Sequence, residues 1–306
     1  MRLLRGLRDL AFVALATTTV LFFLVRLTGD PAVMLAGESA TPAQLAEIRA
    51  AYGFDKSLIE QYLIYLWKVL HLDLGVSLQD GQPALHKVLM AYPATLGLAA
   101  AAVATNVLVS VPIGAWLGQS RSRLSSVVRG VLTVMQGFPG FVFALLLVNI
   151  FAVGLEWFPS VGYGGPETWV LPVVSVVSFL APKLIRVVEA NTRAALGSNF
   201  VRTARSIGAT DGEILWRHVL PNALLGAVAL IGAEIAFMLT GLVIIESIFA
   251  WPGIGWLLVQ STLNLDFPVV QAIALVIVIS VFLSNAATEA VQVLFDPRRR
   301  SMARST

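Results

Sequence analysis

The chain has 306 residues, 57% of them hydrophobic and only 13% charged, with a mean hydropathy of +0.81 and a formal net charge of +3. Soluble domains carry about 25% charged residues, so this composition excludes an ordinary soluble protein and describes an integral membrane protein with one transmembrane domain. The absence of cysteine excludes disulfides, thiolate metal sites and a cysteine nucleophile, and His71, His86 and His218 are too scattered for a local metal motif.

A helix needs about 20 apolar residues to cross a bilayer. The first candidate, Leu10 to Val25, is short and flanked by Arg5, Arg8 and Arg26. It has the look of a signal-peptide core, but the rest of the chain is polytopic and no A-x-A site follows, so it reads as an uncleaved first span with snorkelling arginines. Segments 88–120, 130–155 and 267–288 are charge-free and long enough to span. Trp169 to Val188 is a further span with Lys183 and Arg186 near its inner end, and Asn222 to Ile245 is another, interrupted by Glu234. The expected fold class is therefore all-α, with six transmembrane helices. Residues 1–29 form the N-terminal end and first span, 30–93 an external helical segment, and 94–306 a core of five spans carrying a polar loop at about 194–221.

Basic residues orient this arrangement. Arg2, Arg5 and Arg8 precede the first span, Arg121, Arg123 and Arg129 follow the second, and Lys183, Arg186, Arg193, Arg202, Arg205 and Arg217 lie in the 183–217 segment. With Arg298, Arg299, Arg300 and Arg304 in the tail, sixteen of the 21 basic residues fall on one side of a six-span arrangement, while 156–167 and 246–266 have none. Both termini are thus expected in the cytoplasm. A seventh span at 247–265 would put Arg298–Arg300 outside, which argues against it.

In the external segment, Thr41-Pro42-Ala43-Gln44 reads as a capping box with proline at the first helical position, opening a helix to about Ala51 that stops near Gly53. Ser57 to Glu60 opens a second helix with Leu58, Tyr62, Leu66 and Val69 on one face, packed on the membrane domain or lying at its interface. Acids outnumber bases here, which suits either a docking surface for an external partner or a structural cap. Farther on, Pro252, Gly253 and Gly255 cannot easily continue a helix. Phe249, Trp251 and Trp256 suit a membrane interface. This reads either as a break or re-entrant turn at the external mouth of a pathway, or as an aromatic belt with a turn.

The polar stretch 198–221 reads as helix–glycine–helix. Asn199 can N-cap a helix of Phe200 to Ile207 with Gly208 at C′, and Phe200, Ala204 and Ile207 share a face off which Arg202 and Arg205 lie. Thr210-Asp211-Gly212-Glu213 is a capping box for a second short helix that Leu220-Pro221 ends before the fifth span. Helices this short need something to pack against: the protein's own membrane domain, or a partner. Glu234 is costly in mid-span and either lines a pathway or is hydrogen-bonded to a neighbouring helix; Glu289, near the inner end of the last span, reads as structural. Lys56, Lys68, Lys87 and Lys183 follow Asp, Trp, His and Pro, never Gly, so no phosphate-cradling Walker A loop exists.

The 198–221 stretch resembles the cytoplasmic EAA loop of ATP-binding-cassette importer permeases, which reads E-A-A, three residues, G, nine residues, I-x-L-P. Arg202-Thr203-Ala204 take the E-A-A place, Gly208 the glycine, and His218-Val219-Leu220-Pro221 the I-x-L-P place, with the spacing kept. The replacement Val-Arg-Thr-Ala-Arg is similar to the peptide/nickel branch. So are Gly29-Asp30-Pro31, Asp73-Leu74-Gly75-Val76-Ser77, Pro93-Ala94-Thr95-Leu96, the Glu246 to Gly255 stretch, Asp266-Phe267-Pro268-Val269-Val270-Gln271 and Asp296-Pro297-Arg298. Trp67 to Asp73 and Gly162-Tyr163-Gly164-Gly165 look like the nickel-type members.

The resemblance implies a permease subunit of the bacterial inner membrane that is not an enzyme and carries no cofactor of its own. It would work with a second homologous permease, two ATPase subunits that use ATP and Mg, and an external binding protein delivering small peptides or nickel and metal complexes. It also implies that Asn199, Phe200, Arg202, Thr203, Ala204, Arg205, Ser206, Ile207 and Gly208 dock on an ATPase subunit. Glu234 is the pathway candidate, and Trp251, Pro252, Gly253 and Gly255 mark the external mouth. Beyond these subunits the expected surroundings are membrane lipid; no nucleic-acid or metal site is expected in the chain. The alternatives are a stand-alone secondary transporter, which should show Gly/Pro-broken helices in matching positions of two halves, and a membrane enzyme, which needs a cluster of acid, base and nucleophile. One break, near Pro252, and no such cluster are seen.

Overall fold

A computed structural model describes residues 2–28, 32–33 and 40–295. The Gly29-Asp30-Pro31 and Asp296-Pro297-Arg298 segments, and the basic tail through Arg304, lie outside the described residues. The described residues are helical apart from turns and one isolated bridge, Val76 to Pro83. They divide into two compact units, one of the described residues up to 93 with 252–282, the other of 94–251 with 283–295.

In the first unit, α1 (Arg2–Thr28) contains an apolar span, Arg8–Leu27. Helix α2 (Pro42–Tyr52) begins with the expected capping box, Thr41 and Gln44 bonding reciprocally, and ends at Gly53 in the left-handed region. Helix α3 (Leu58–Leu70) is capped by Ser57. Its partly covered face is Gln61, Tyr62, Tyr65, Leu66 and Val69, while Leu58, placed on that face from sequence, is exposed. The reason is local: α3 packs on α1 from its second turn onward. Tyr62 meets the Thr19 hydroxyl at 2.6 Å, the Tyr62 and Phe22 rings sit edge-on at 5.2 Å, and Arg26 donates to Gln61 at 2.7 Å.

Two motifs distant in sequence meet in this unit. Asp266 accepts the Ser77 hydroxyl at 2.5 Å and the Leu78 backbone N–H at 3.0 Å. The Asp73–Ser77 turn is thereby tied to the residue before α12 (Phe267–Phe295). Lys87 donates to the Ser77 hydroxyl and to Asp80; the Lys87 bond first, and then the Gln82 backbone N–H, hold the Asp80 carboxyl below its usual value.

The second unit is a helical core. Helix α4 (Ala84–Gln119) enters it from residue 94. Helix α5 (Arg123–Met135) follows a Ser122 cap, and α6 (Gly140–Leu147) continues as a π-helical stretch to Gly154. The expected single span at 130–155 is instead a pair of helices, α5 and Gly140–Gly154, bent by 102°. Pro139 supplies no N–H and caps α6, with Gly137 and Gly140 beside it, so the helical ladder cannot run through. Among the described residues, five unbroken helices are long and apolar enough to span, and the bent pair makes six only if it counts as one.

Helix α7 (Glu167–Leu196) is the axis of this unit. Gly114 and Gly118 of α4 face it: a Cβ at Gly114 would lie 2.7 Å from Val188 Cβ, and one at Gly118 2.7 Å from Thr192 Cβ. Their G-x-x-x-G spacing lets the two backbones approach. Helix α9 (Asp211–Gly241) packs on the other side, where Asn191 donates to the Ala223 carbonyl at 2.9 Å. Its start corrects the expected stop at Leu220-Pro221. The helix runs through Pro221, because the turn before the proline is a π-helical stretch, Ile214–Val219, wide enough to accommodate the missing amide and the ring.

Gly118→Ala is expected to destabilise by about 1–3 kcal/mol, since the Thr192 Cβ it meets is not the end of a flexible chain. Gly130→Ala, at an exposed α5 position with open space, is expected to gain about 0.5–1 kcal/mol. Thermal unfolding of the purified variants in one detergent checks the opposite signs; equal effects would remove the packing role of Gly118.

Candidate functional site

The polar hairpin is built on the end of α7. The Gly197 amide bonds back to Ala194, and Ser198 begins α8 (Asn199–Ser206). Ser198, not Asn199, is the N-cap residue; its hydroxyl donates backward to the Ala195 carbonyl at 2.5 Å, so it anchors the turn instead of capping α8. Gly208 follows with φ +87, a left-handed conformation that strains other residues. Thr210 and Glu213 form the expected capping box. Accepting the Thr210 backbone N–H at 3.0 Å and its hydroxyl at 3.1 Å holds the Glu213 carboxyl below the usual carboxylate range.

The hairpin packs on its own base through Val201, Ala204, Ile214 and Val219, all buried, with Ala195, Leu196, Ala209 and Leu215 around them. The buried face of α8 is therefore Val201 and Ala204. The expected Phe200–Ala204–Ile207 face is not formed: Phe200 is 41% exposed and Ile207 80%. Two apolar side chains per turn are more than so short a helix can bury, and the branched Val201 takes the inward place. Trp216 on the neighbouring turn is 61% exposed. Of the nine residues assigned to docking, Ala204 is turned inward and the other eight are exposed. Arg205 pairs with Asp211 at 3.2 Å across the Gly208 turn, whereas Arg202 makes no ion pair among the described residues.

Below the hairpin lies a cluster that sequence reasoning misses. Arg129 of α5 bonds Glu189 of α7 at 2.7 Å and also donates to the Leu117 and Ser120 carbonyls at 2.7 and 2.9 Å, which satisfies the end of α4. Arg193 reaches the same Glu189 oxygen at 2.7 Å. From sequence, Arg129 and Arg193 count only toward topology; the usable signal is Glu189, an acid four residues before Arg193 on an otherwise basic segment.

Glu234 is buried in the second unit and accepts from Asn106 at 3.3 Å; Ser110 donates to the same Asn106 at 2.8 Å. One Glu234 oxygen has no partner among the described residues. The break after the fifth span is present: α10 (Val243–Ile248) ends, Ala250 takes φ 47, and α11 (Ile254–Leu263) starts after an extended Gly253. Phe249 and Trp251 do not form an interfacial belt, because both are buried. The Trp251 indole donates to the Ala94 carbonyl at 2.9 Å and meets Tyr163 and Trp169 edge-on at 4.8 and 4.7 Å. Gly162 donates to the Phe249 carbonyl at 3.1 Å, so the Gly162–Gly165 segment and the break are packed together. Glu246, fully buried, accepts from Thr95 at 2.7 Å. Pro252, Gly253 and Gly255 belong to the first unit.

Comparison with known proteins agrees with this architecture. Residues 110–301 match the family model of the binding-protein-dependent transport system inner membrane component, and residues 2–99 match the N-terminal model of the same systems. A Brucella abortus (strain 2308) protein, provisionally named a peptide transport system permease protein, is 33% identical over 298 residues, covering 94% of this chain and 95% of its own. The glutathione transport system permease protein GsiC of Salmonella typhi is 31% identical over 282 residues, 92% of each chain. In fold, a chain of the inward-facing MetNI methionine ABC transporter superposes with a TM-score of 0.60 at 17% identity, over 70% of this chain and 98% of that one. With five or six apolar spans and a family model matched over most of its length, the chain belongs to the binding-protein-dependent transport system inner membrane components and is a multi-pass inner-membrane permease subunit of an ABC importer.

Proposed function

We propose that this permease moves small peptides into the cytoplasm, driven by ATPase subunits that dock on the 198–216 hairpin. The observation that carries the docking reading is the outer surface of the hairpin. Phe200, Ile207 and Trp216 are exposed, and Arg202 has no ion-pair partner among the described residues, on a segment that already buries Val201, Ala204, Ile214 and Val219. Exposed apolar side chains and an unpaired arginine on one short hairpin suit burial in a protein groove. Ala204 leaves the docking set and supports it from beneath. The assembly is this chain, a second homologous permease, two ATPase subunits holding ATP and Mg, and an external binding protein. The 30–93 segment is either the docking surface for that protein or a structural cap on the membrane domain. Relatives named for peptide and glutathione transport favour peptides, glutathione being a tripeptide; nickel and metal complexes are the competing cargo, to be separated by calorimetry of the binding protein with peptides and with Ni²⁺.

Both termini and the hairpin lie in the cytoplasm on the count of basic residues. Because the chain has no cysteine, single introduced thiols report sidedness directly. In intact cells an impermeant maleimide is expected to label Glu60→Cys and to spare Ser206→Cys; the reverse pattern overturns the orientation.

Arg202→Glu is expected to cut substrate-stimulated uptake by at least about tenfold, by placing a desolvated like or unpaired charge in the docked interface, while leaving the thermal stability of the permease unchanged. Arg205→Glu is expected to do the same and also to repel Asp211. Uptake at the wild-type rate in the double variant would remove the docking assignment.

Glu234, with Asn106 and Ser110, supplies the polar lining of the pathway, and the break at Trp251–Gly255 marks its external mouth. Glu234→Gln keeps a hydrogen-bonding group for Asn106 but removes the charge. Transport is expected to fall several-fold with the fold intact; unchanged transport would leave Glu234 as a packing residue.

A further inference from the structure

The cluster around Glu189 carries more positive charge than it neutralises. A cavity of about 330 Å³ between α5 and α7 is lined by Arg129, Thr133, Arg186, Glu189 and Arg193, with Leu132 at its apolar side. Arg129 and Arg193 end on the same Glu189 oxygen. Arg186 donates to the Thr133 hydroxyl at 2.6 Å and has no carboxylate partner among the described residues. Three guanidinium groups thus line a cavity that holds one carboxylate, and the cavity favours an anion.

Two further observations say which anion. Helix α7, Glu167–Leu196, is about 45 Å long at 1.5 Å per residue, against about 30 Å of hydrocarbon. Its last turns, which bear Arg186, Glu189 and Arg193, reach headgroup level. Helix α5 is about 20 Å long, too short to span, and turns from the following helix by 102°. It is two-sided. Ser125 and Leu132 are buried and Arg129 is tied inward, while Leu124, Val127, Val131 and Val134 are exposed along the other side. That is the pattern of a helix lying in the membrane interface. The cavity's own apolar side is Leu132, and the exposed stripe on the opposite face sets α5 at the depth of the lipid headgroups.

We propose that the α5–α7 cavity is a binding site for an anionic phospholipid of the cytoplasmic leaflet. Its phosphate is received by Arg186 and Arg193, and its chains pass Leu132 into the bilayer. Only the choice of leaflet rests on the orientation proposed above; the lipid selectivity does not. The bound lipid would brace α7 just before the hairpin, and so make the stiffness of that element depend on membrane composition. Arg129 and Glu189 are left out of the test because they hold the helices together.

The test is native mass spectrometry of the full transporter complex released from nanodiscs of phosphatidylglycerol or of phosphatidylcholine, with thermal unfolding as the check on folding. The wild-type complex is expected to retain phosphatidylglycerol in preference to phosphatidylcholine. Arg186→Gln with Arg193→Gln should bind it about 30-fold more weakly, each guanidinium being worth roughly a factor of five at a membrane surface. Arg186→Lys should keep most of the preference, and Arg186→Gln alone reads the loss if the double variant does not fold. Equal retention of both lipids, or the same retention by the glutamine variants, overturns the proposal. Displacement of phosphatidylglycerol by millimolar inorganic phosphate would make this a soluble-anion site instead. Loss of the ATPase subunits from the variants with lipid retained would make it a protein contact.

Discussion

The Arg129 guanidinium is the interaction on which the second unit depends. It closes the end of α4 by donating to the Leu117 and Ser120 carbonyls, and it holds α7 through Glu189. In hydrocarbon or at its edge, free carbonyls and a lone carboxylate each cost several kcal/mol, so a chain that stops one helix, lays down a short second one and rejoins the bundle needs a group that satisfies all three at once. Arginine alone among the side chains offers enough donors in a fixed fork. Its neighbours follow from it: Ser125 supports the guanidinium at 3.1 Å, Gly118 brings α4 close beside Thr192, and Arg193 compensates the remaining charge of Glu189.

That cluster stands directly beneath the hairpin. From Glu189 the helix continues to Leu196, and the turn at Gly197–Ser198 fixes where α8 projects. The other end of the hairpin is also continuous with a long helix, since α9 runs through Pro221 without a stop. A push on α8 is therefore delivered to two spans together and not lost in a loose loop. The capping box at Thr210 and the Arg205–Asp211 pair keep the connecting turn from fraying. The proposed coupling role needs stiffness along the hairpin and an unfinished outer face; Val201, Ala204 and Ile214 are buried and suit the first, and Phe200, Ile207 and Trp216 are exposed and suit the second.

The class of fold and the chain's family were legible in the sequence because apolar length and motif spacing are properties of single segments. Caps were legible where both partners are neighbours, as at Thr41 and Thr210. What periodicity could not settle was competition between equal candidates. On α8, Phe200, Val201, Ala204 and Ile207 are all apolar or small, and only tertiary packing chose Val201 and Ala204. At 130–155 the hydropathy is continuous, so the break at Pro139 is invisible to a window average, although the proline itself carries the signal. At Trp251 the aromatic composition pointed to an interface, whereas Ala94, Tyr163 and Trp169 enclose it. Partners that far apart in sequence leave no local trace.

The same argument separates the two kinds of buried acid in the second unit. Glu189 is held by charge: two arginines reach it, and its place is at the end of the hydrocarbon where charges persist. Glu234 is held by an amide, with Asn106 on one oxygen and no partner for the other among the described residues. A structural carboxylate is normally satisfied at both oxygens, because an unpaired buried acceptor costs about 1–3 kcal/mol. Glu189 instead carries two arginines on one oxygen, and that charge pairing makes its role architectural. Glu234 has no such charge partner and one oxygen without a hydrogen bond among the described residues, which is the observation behind proposing it as a pathway residue.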